Sequence, residues 1–252
     1  MTSDPLHIAI AGTGRMGKAV EATAKKRGHS IVGRFNRLNP VTLKTLNASN
    51  PDVIIDFTGP QVAVTHMRLY SMSNTSAVIG TTGWYDHLKE VMNVFNANSS
   101  GLVYGSNFSL GIQLLFQALN TLAPLLDQLT EFDITLHESH HSAKLDSPSG
   151  TAIDLANAIL GKLQRKKRWS LPTVPYDAST LEVTSTRLGH VFGQHRVLID
   201  GPSDYLVFEH TAKNRDGFAM GAVLAAEWIQ GRKGFYSVEE MMDHWVKHHL
   251  NS

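Results

Sequence analysis

Residues 137–152, His-Glu-Ser-His-His-Ser-Ala-Lys-Leu-Asp-Ser-Pro-Ser-Gly-Thr-Ala, hold the densest polar chemistry in the chain. An imidazole has an unperturbed pKa of about 6.5, so it can give or take a proton near neutral pH. If the strand leading in stays extended, His140 and His141 point to opposite faces and have different jobs. Ser149, with Pro148 just before it, suits the cap of a following helix. Gly150 and Thr151 then offer backbone N–H groups at a helix start, where a carboxylate is well held, and Lys144 adds a positive charge nearby. The segment suits a small anionic molecule that must receive a proton.

Three other readings compete for these residues. His137 and His141 could ligate zinc, but the approach reads as strand and no HExxH is present. A serine hydrolase would want a GxSxG elbow, which is absent. A polar loop with incidental histidines is the third reading. No metal is expected.

The second chemical stretch is Gly12-Thr13-Gly14-Arg15-Met16-Gly17, directly after the apolar run 6–11. Its spacing is GxGxxG between a strand and a helix, the context that gives the motif meaning. The first glycine permits the turn, the second admits a pyrophosphate, and the third lets helix and strand pack closely. An unliganded glycine turn is the alternative. Further small polar groups stand where later strands should end: Phe57-Thr58, Gly80-Thr81-Thr82-Gly83 and Ser106-Asn107-Phe108-Ser109. In an open parallel sheet these ends face the ligand, although the same residues also favour ordinary turns.

The elements that must position these groups follow from periodicity. Strands are expected at 6–11, 30–35, 52–58, 77–79 and 101–106, alternating with helices at about 16–28, 62–71 and 85–96. That alternation argues for a doubly wound parallel sheet of Rossmann type. Beyond about 112 the pattern changes. A long helix covers 112–126, an alternating strand 131–137 and a helix 151–164, with β-rich runs at 181–199 and 204–211. These argue for a second α+β domain on a mixed sheet. Helices return at 221–230 and 238–248. The expected division is therefore 1–111 with 216–252 as the dinucleotide-binding domain, and 112–215 as the substrate-binding and assembly domain.

Composition limits the partners. Lys plus Arg total 23 against 22 Asp plus Glu, a net charge of +1, so general binding to nucleic acid or to a membrane surface is not expected. The basic cluster Lys162, Arg165, Lys166, Lys167 and Arg168 reads as a helix end and solvated loop. The chain has no cysteine, which excludes thiolate chemistry and disulfides and fits the cytoplasm. The apolar run near the N-terminus is too short for a signal peptide, and no stretch approaches the ~18 apolar residues of a membrane span.

The segment from Glu138 to Ala152 resembles the signature of the bacterial 4-hydroxy-tetrahydrodipicolinate reductase family, E-x-H-H-x-x-K-x-D-x-P-S-G-T-A. The resemblance extends through GTGRMG at 12–17, DFTGP at 56–60, VIGTTGW at 78–84, SNFSLGI at 106–112, TRLGHVFGQHRV at 186–197 and HTAKNRDGFAMGA at 210–222. It implies reduction of a cyclic dicarboxylate by NADPH or NADH in the diaminopimelate–lysine pathway, by a homotetramer. It implies that His140 and Lys144 supply the proton, and that His141, Ser149, Gly150 and Thr151 hold the substrate. Gly80, Thr81, Thr82, Ser106, Asn107, Phe108 and Arg215 would join the glycine loop, Phe57 and Thr58 around the cofactor. Two departures stand out: the glycine loop is one residue shorter than the family's G-x-x-G-R-M-G, and the stretch 36–52 is short. Another imine reductase of the same fold and a nucleotide-sensing module without turnover are the alternatives.

Nucleotide choice turns on Gly33-Arg34-Phe35-Asn36-Arg37. NAD-specific sites commonly place an acid there, about 20 residues past the glycines. Asn36 stands in its place and carries no charge to repel a 2′-phosphate, and Arg37 or Arg34 could pair with one.

Overall fold

The computed structural model describes residues 4–250. The outermost residues of the expected first domain, 1–3 and 251–252, lie outside the described residues. The described chain forms two compact units, one running to Leu110 and resuming at Arg215, the other Gly111–Asn214.

The first unit is built on β1 (His7–Ala11), β2 (Ser30–Phe35), β3 (Val53–Asp56), β4 (Ser76–Ile79), β5 (Gly101–Tyr104) and β11 (Gly234–Ser237). They form one six-stranded sheet in the order β11-β5-β4-β3-β1-β2, parallel throughout. Both faces are covered, so the strands are apolar on both sides. Ile8, Ile10, Val53, Ile55, Val78 and Val103 pack against α1 (Arg15–Lys26) and α7 (Asp216–Ile229), with α8 (Val238–Leu250) joining them through Met241 and Met242. The alternate residues Ala9, Ala11, Ile54, Ala77, Ile79 and Leu102 pack against α2 (Leu43–Ser49), α3 (Pro60–Met72) and α4 (Leu88–Asn96). From β1 the chain steps to β2 on one side and then to β3 on the other. That reversal opens a crevice at the carboxyl ends of β1 and β3, the usual ligand position of such sheets.

The second unit holds β6 (Asp133–His140), β7 (Arg168–Ser170), β8 (Thr180–Arg187), β9 (Gln194–Asp200) and β10 (Tyr205–Thr211). Their order is β10-β9-β6-β8-β7. The β6–β8 and β7–β8 pairs are parallel, and β9 is antiparallel to both of its neighbours. Ile134, Leu136, Leu181, Val183, Val197 and Ile199 form a core with α5 (Leu110–Gln128) and α6 (Gly150–Leu160). The fold class is thus the expected one, a Rossmann-type parallel sheet and a mixed-sheet α+β unit.

Several elements depart from expectation. The helix α2 has a Thr42–Thr45 capping box, whose N3 residue is not the Glu or Gln that usually signals one. The short strands β7 and β11 lie at sheet edges. The strand β6 runs three residues past the expected end, to His140, because β8 and β9 pair with it along that length. The helix α6 stops at Leu160, and in the basic cluster after it Lys162, Lys167 and Arg168 are exposed as expected, whereas Lys166 and Arg165 are drawn into the fold. Lys166 is buried, with Nζ 2.7 Å from Asp133 Oδ1 and 3.0 Å from the Thr180 carbonyl, while Arg165 donates to the carbonyl of Phe132. Ion pairing and backbone acceptors satisfy charges that a loop would have left to water.

Candidate active site

In the first unit the site is made largely of backbone. Gly12 has φ +90, and a Cβ there would stand 2.3 Å from the Phe57 carbonyl oxygen at the end of β3. A Cβ on Gly17 would stand 1.9 Å from the Gly12 carbonyl oxygen, so helix and loop touch through missing side chains. Gly14 is the reverse, because a Cβ there meets nothing within 4 Å. It caps the N-terminus of α1 without any side-chain bond, and no acid lies in the first turn. Open space over uncapped N–H groups at a positive dipole end fits a pyrophosphate. Thr13 borders that loop, Arg15 is exposed, and Met16 packs against the core.

A buried acid organises the neighbouring strand ends. Asp56, the last residue of β3, accepts from Thr58 N at 2.8 Å, Thr58 Oγ1 at 2.6 Å, Thr81 Oγ1 at 3.2 Å and Tyr70 Oη at 2.7 Å. His66 Nδ1 lies 3.0 Å from its other side. One carboxylate therefore fixes two of the hydroxyl residues expected near the cofactor, Thr58 and Thr81. Its charge and burial together raise the Tyr70 phenol well above its usual range, burial contributing most. Gly80 is required by the Phe57 ring, which would lie 2.0 Å from a Cβ, and Thr82 is exposed just beyond. Asn107 Oδ1 accepts from Ser109 N at 2.9 Å, and Ser106 is half-buried beside it. The Phe108 side chain is core, edge-on to Phe57 at 6.3 Å. Arg215 stands at the cap of α7.

Just past the end of β2, Asn36 Oδ1 accepts from Leu38 N at 2.8 Å and Asn39 N at 3.1 Å, and Nδ2 donates to Thr13 Oγ1 at 3.4 Å. Arg34 is held by both oxygens of Glu21, at 2.8 and 2.6 Å. That hydrogen bonding, with help from Lys25, brings Glu21 to about 2. Arg37 is exposed.

In the second unit the site is made of charged side chains. The strand β6 ends at His140, whose Nδ1 donates to Glu138 Oε2. Glu138 is fully buried, and Arg187 Nη1 lies 2.9 Å from its Oε1. Burial pushes the Glu138 carboxyl up, but His140, Ser185 and Arg187 beside it outweigh burial and bring the group to about 2. On β9, His195 faces His140 with ring centroids 5.3 Å apart. Burial, with the His140 charge acting the same way, brings His195 down to about 3. Its Nε2 lies 3.3 Å from Ser149 Oγ, which also accepts from Ala152 N at 3.2 Å and caps α6. Lys144 Nζ lies 2.8 Å from Asp146 Oδ1. Burial raises the Asp146 carboxyl, but Lys144 and the backbone N–H of Gly150 together lower it. His141 is exposed in the turn after β6, and Thr151 is half-buried in the first turn of α6.

The structure thus gathers His140, Lys144, Ser149 and Gly150 around the end of β6 and the start of α6, with His141 turned outward. Of the two histidines weighed for zinc, His141 is exposed and His137 is engaged by side chains. Both ring nitrogens of His137 are engaged, with Thr184 Oγ1 at 2.7 Å and Ser139 Oγ at 3.0 Å. Among the described residues no group of three or more His, Asp or Glu is placed to hold a metal. Sequence reasoning missed Glu138, Arg187, His195 and Asp56. A signal existed for Glu138, which occupies the core-facing register of β6 shared by Ile134 and Leu136.

The comparisons with known proteins follow the same lines. Residues 6–108 match the family model described as dihydrodipicolinate reductase, N-terminus, and residues 111–242 match dihydrodipicolinate reductase, C-terminus. A 4-hydroxy-tetrahydrodipicolinate reductase of Christiangramia forsetii is 35% identical over 96% of this chain and 100% of its own length. That of Neisseria meningitidis serogroup B is 33% identical over 94% of this chain and 97% of its own. The solved structure of dipicolinate-bound dihydrodipicolinate reductase from Paenisporosarcina sp. TG-14 matches with a TM-score of 0.79 at 22% identity, covering 93% of this chain and 98% of that one, a likeness of fold. With both family models matched in chain order and relatives above 30% identity along nearly its whole length, the chain belongs to the dihydrodipicolinate reductase family.

Proposed function

We propose that the chain reduces 4-hydroxy-tetrahydrodipicolinate to tetrahydrodipicolinate with NAD(P)H, a step of the diaminopimelate and lysine pathway. The reaction adds one hydride and one proton to the substrate and releases one water. The nicotinamide, when bound, supplies the hydride. Gly12, Thr13, Gly14, Arg15, Met16 and Gly17 hold the pyrophosphate at the start of α1. Phe57, Thr58, Gly80, Thr81, Thr82, Ser106, Asn107, the Phe108 backbone and Arg215 line the remainder of the nucleotide site, and Asn36 and Arg37 meet the adenosine ribose.

The second unit binds the dicarboxylate and handles the proton. The observation that carries this reading is Asp146, whose carboxylate sits on Lys144 Nζ at 2.8 Å and against the Gly150 N–H. These donors already hold a carboxylate, and a substrate carboxylate would take its place, with His141, Ser149 and Thr151 completing the cradle. His140 delivers its proton from Nε2, because Nδ1 is committed to Glu138. Lys144 balances the negative charge that builds on the ring. The sheet residues that alternate with the core, among them Val207 and Tyr205, 37% and 67% exposed, offer a face for a second copy. The protein acts as a homotetramer in the cytoplasm, a setting that suits a chain without cysteine.

The test is loss of reduced-nicotinamide absorbance with substrate generated in situ, in the presence of pyridine-2,6-dicarboxylate. Turnover with inhibition competitive against substrate is expected. No turnover despite nucleotide binding would point to the sensing module, and inhibition competitive only with nucleotide would place the anion in the wrong unit.

A further inference from the structure

We infer that Glu138, anchored by Arg187, is a positioning residue that fixes the tautomer of His140, keeping one proton on Nδ1 so that protons enter and leave through Nε2. The inference rests on reading His140 as the acid.

The strand explains where the carboxylate stands. Alternation along β6 buries Ile134, Leu136 and Glu138, so the acid occupies a position where its neighbours are apolar. A buried carboxylate is costly unless each oxygen is paired. Here Oε2 faces His140 Nδ1 and Oε1 faces Arg187 Nη1. An ionised carboxylate only accepts hydrogen bonds, so the nitrogen opposite must carry the proton. In the neutral ring the free lone pair is then on Nε2.

Arg187 cannot easily swing away. It also donates to its neighbour's carbonyl, Thr186 O, at 2.8 Å, and to the Asp146 carbonyl in the loop that carries Lys144. The same guanidinium therefore ties the buried acid to that loop. Nε2 lies against Gly193, where a Cβ would approach to 3.2 Å, so the glycine leaves the proton-carrying atom uncrowded. The remaining groups near the ring are His195 on β9, held neutral in the working range, and Lys144, which Asp146 engages. Neither of these contacts Nδ1 in place of Glu138.

Glu138→Gln discriminates between a tautomer-setting role and simple core filling. Arg187 Nη1 faces this side chain at 2.9 Å and can only donate, so it will draw the Gln carbonyl. The Gln NH₂ then faces His140 Nδ1, which must become the acceptor, and the proton moves to Nε2. Nitrogen-15 NMR of the nucleotide-free chain reads this directly, with His140 assigned by comparison with His140→Gln. The wild type should show Nδ1–H and Glu138→Gln should show Nε2–H, with kcat lowered about 10²-fold or more and the nucleotide Kd unchanged. Glu138→Gln with Arg187→Met removes the uncompensated charge, protects the fold, and frees the Gln carbonyl to accept from Nδ1. The Nδ1–H form should return in that double variant. Persistence of Nδ1–H in Glu138→Gln, or Nε2–H in the double variant, overturns the inference. A nearly full kcat in His140→Gln would instead overturn the reading of His140 as acid, and the NMR result would still judge Glu138.

Discussion

In the proposed function the glycine loop after β1 and the loop after β6 solve the same problem, holding an anion at a helix start, with opposite materials. The first uses absence. Gly12 and Gly17 have no room for a side chain, and Gly14 leaves open space over uncapped N–H groups. The second uses charge. Lys144 pairs with Asp146, His140 and Arg187 pair with Glu138, and Arg187 also donates to the Asp146 carbonyl. A backbone cradle recognises a phosphate common to many molecules, whereas a network of ionised side chains can also move a proton. Removing side chains should therefore damage the second loop, and adding them should damage the first.

The largest effect is expected at His140. His140→Gln should lower kcat about 10²–10⁴-fold, the range of a lost general acid, with little change in KM. Steady-state kinetics read it. A kcat within about threefold of wild type would pass the role to Lys144.

The second effect is on stability and has a definite sign. His195 is buried neutral, with its folded pKa near 3 against about 6.5 when unfolded. Between those values the unfolded chain binds the extra proton, so stability rises with pH. The contribution is complete above about pH 6.5 and is lost as pH falls toward 3, at about 1.4 kcal/mol per unit. Glu138, at about 2 in the fold, adds a loss in the same direction below about pH 4.5. Urea unfolding of His195→Gln from pH 7 to 4 should show a flatter slope than wild type. An equal slope would show that the buried imidazole is not what acid attacks first.

The third tests the glycine cradle. Gly17→Ala places a methyl group into the Gly12 carbonyl and should cost about 1–3 kcal/mol or more of stability. Gly14→Ala meets nothing in the protein, so its melting temperature should stay put while nucleotide Kd rises about tenfold. Calorimetry and nucleotide titration separate the two. Equal destabilisation would mean that the loop's shape is set by something other than these contacts.

The same contrast explains what was legible in the sequence. The glycine loop is local, since strand, turn and helix are contiguous and their spacing states the geometry. His140, Lys144 and the Ser149 cap are local too. The partners that tune them are not. Glu138 meets Arg187 and His195 only because β6 lies between β8 and β9, a pairing that no short-range pattern encodes. Asp56 reads in the sequence as part of a strand, and its role as hub depends on Tyr70 and Thr81 coming from other elements. Lys166 looked solvated because its acceptor, Asp133, precedes it by thirty-three positions and reaches it only through the sheet.

The smallest expected effect concerns the nucleotide, and it places a side chain in the unit otherwise governed by backbone. In an NAD-specific site an acid at the end of β2 accepts from the ribose hydroxyls. Here Asn36 takes that position, and its oxygen is already engaged by the N–H groups of Leu38 and Asn39. No charge stands there to repel a 2′-phosphate. Of the two nearby arginines, Arg34 is clamped by Glu21, while among the described residues Arg37 has no hydrogen-bond or ion-pair partner. A free, exposed guanidinium can make paired bonds to a phosphate, worth about 1 kcal/mol when solvated. NADPH should therefore be used at least as well as NADH. Arg37→Ala should raise the KM for NADPH about fivefold and leave that for NADH nearly unchanged, whereas Arg34→Ala should affect neither directly. A wild-type kcat/KM favouring NADH by more than about tenfold, or an equal loss with both nucleotides in Arg37→Ala, would return recognition at this end to the backbone alone.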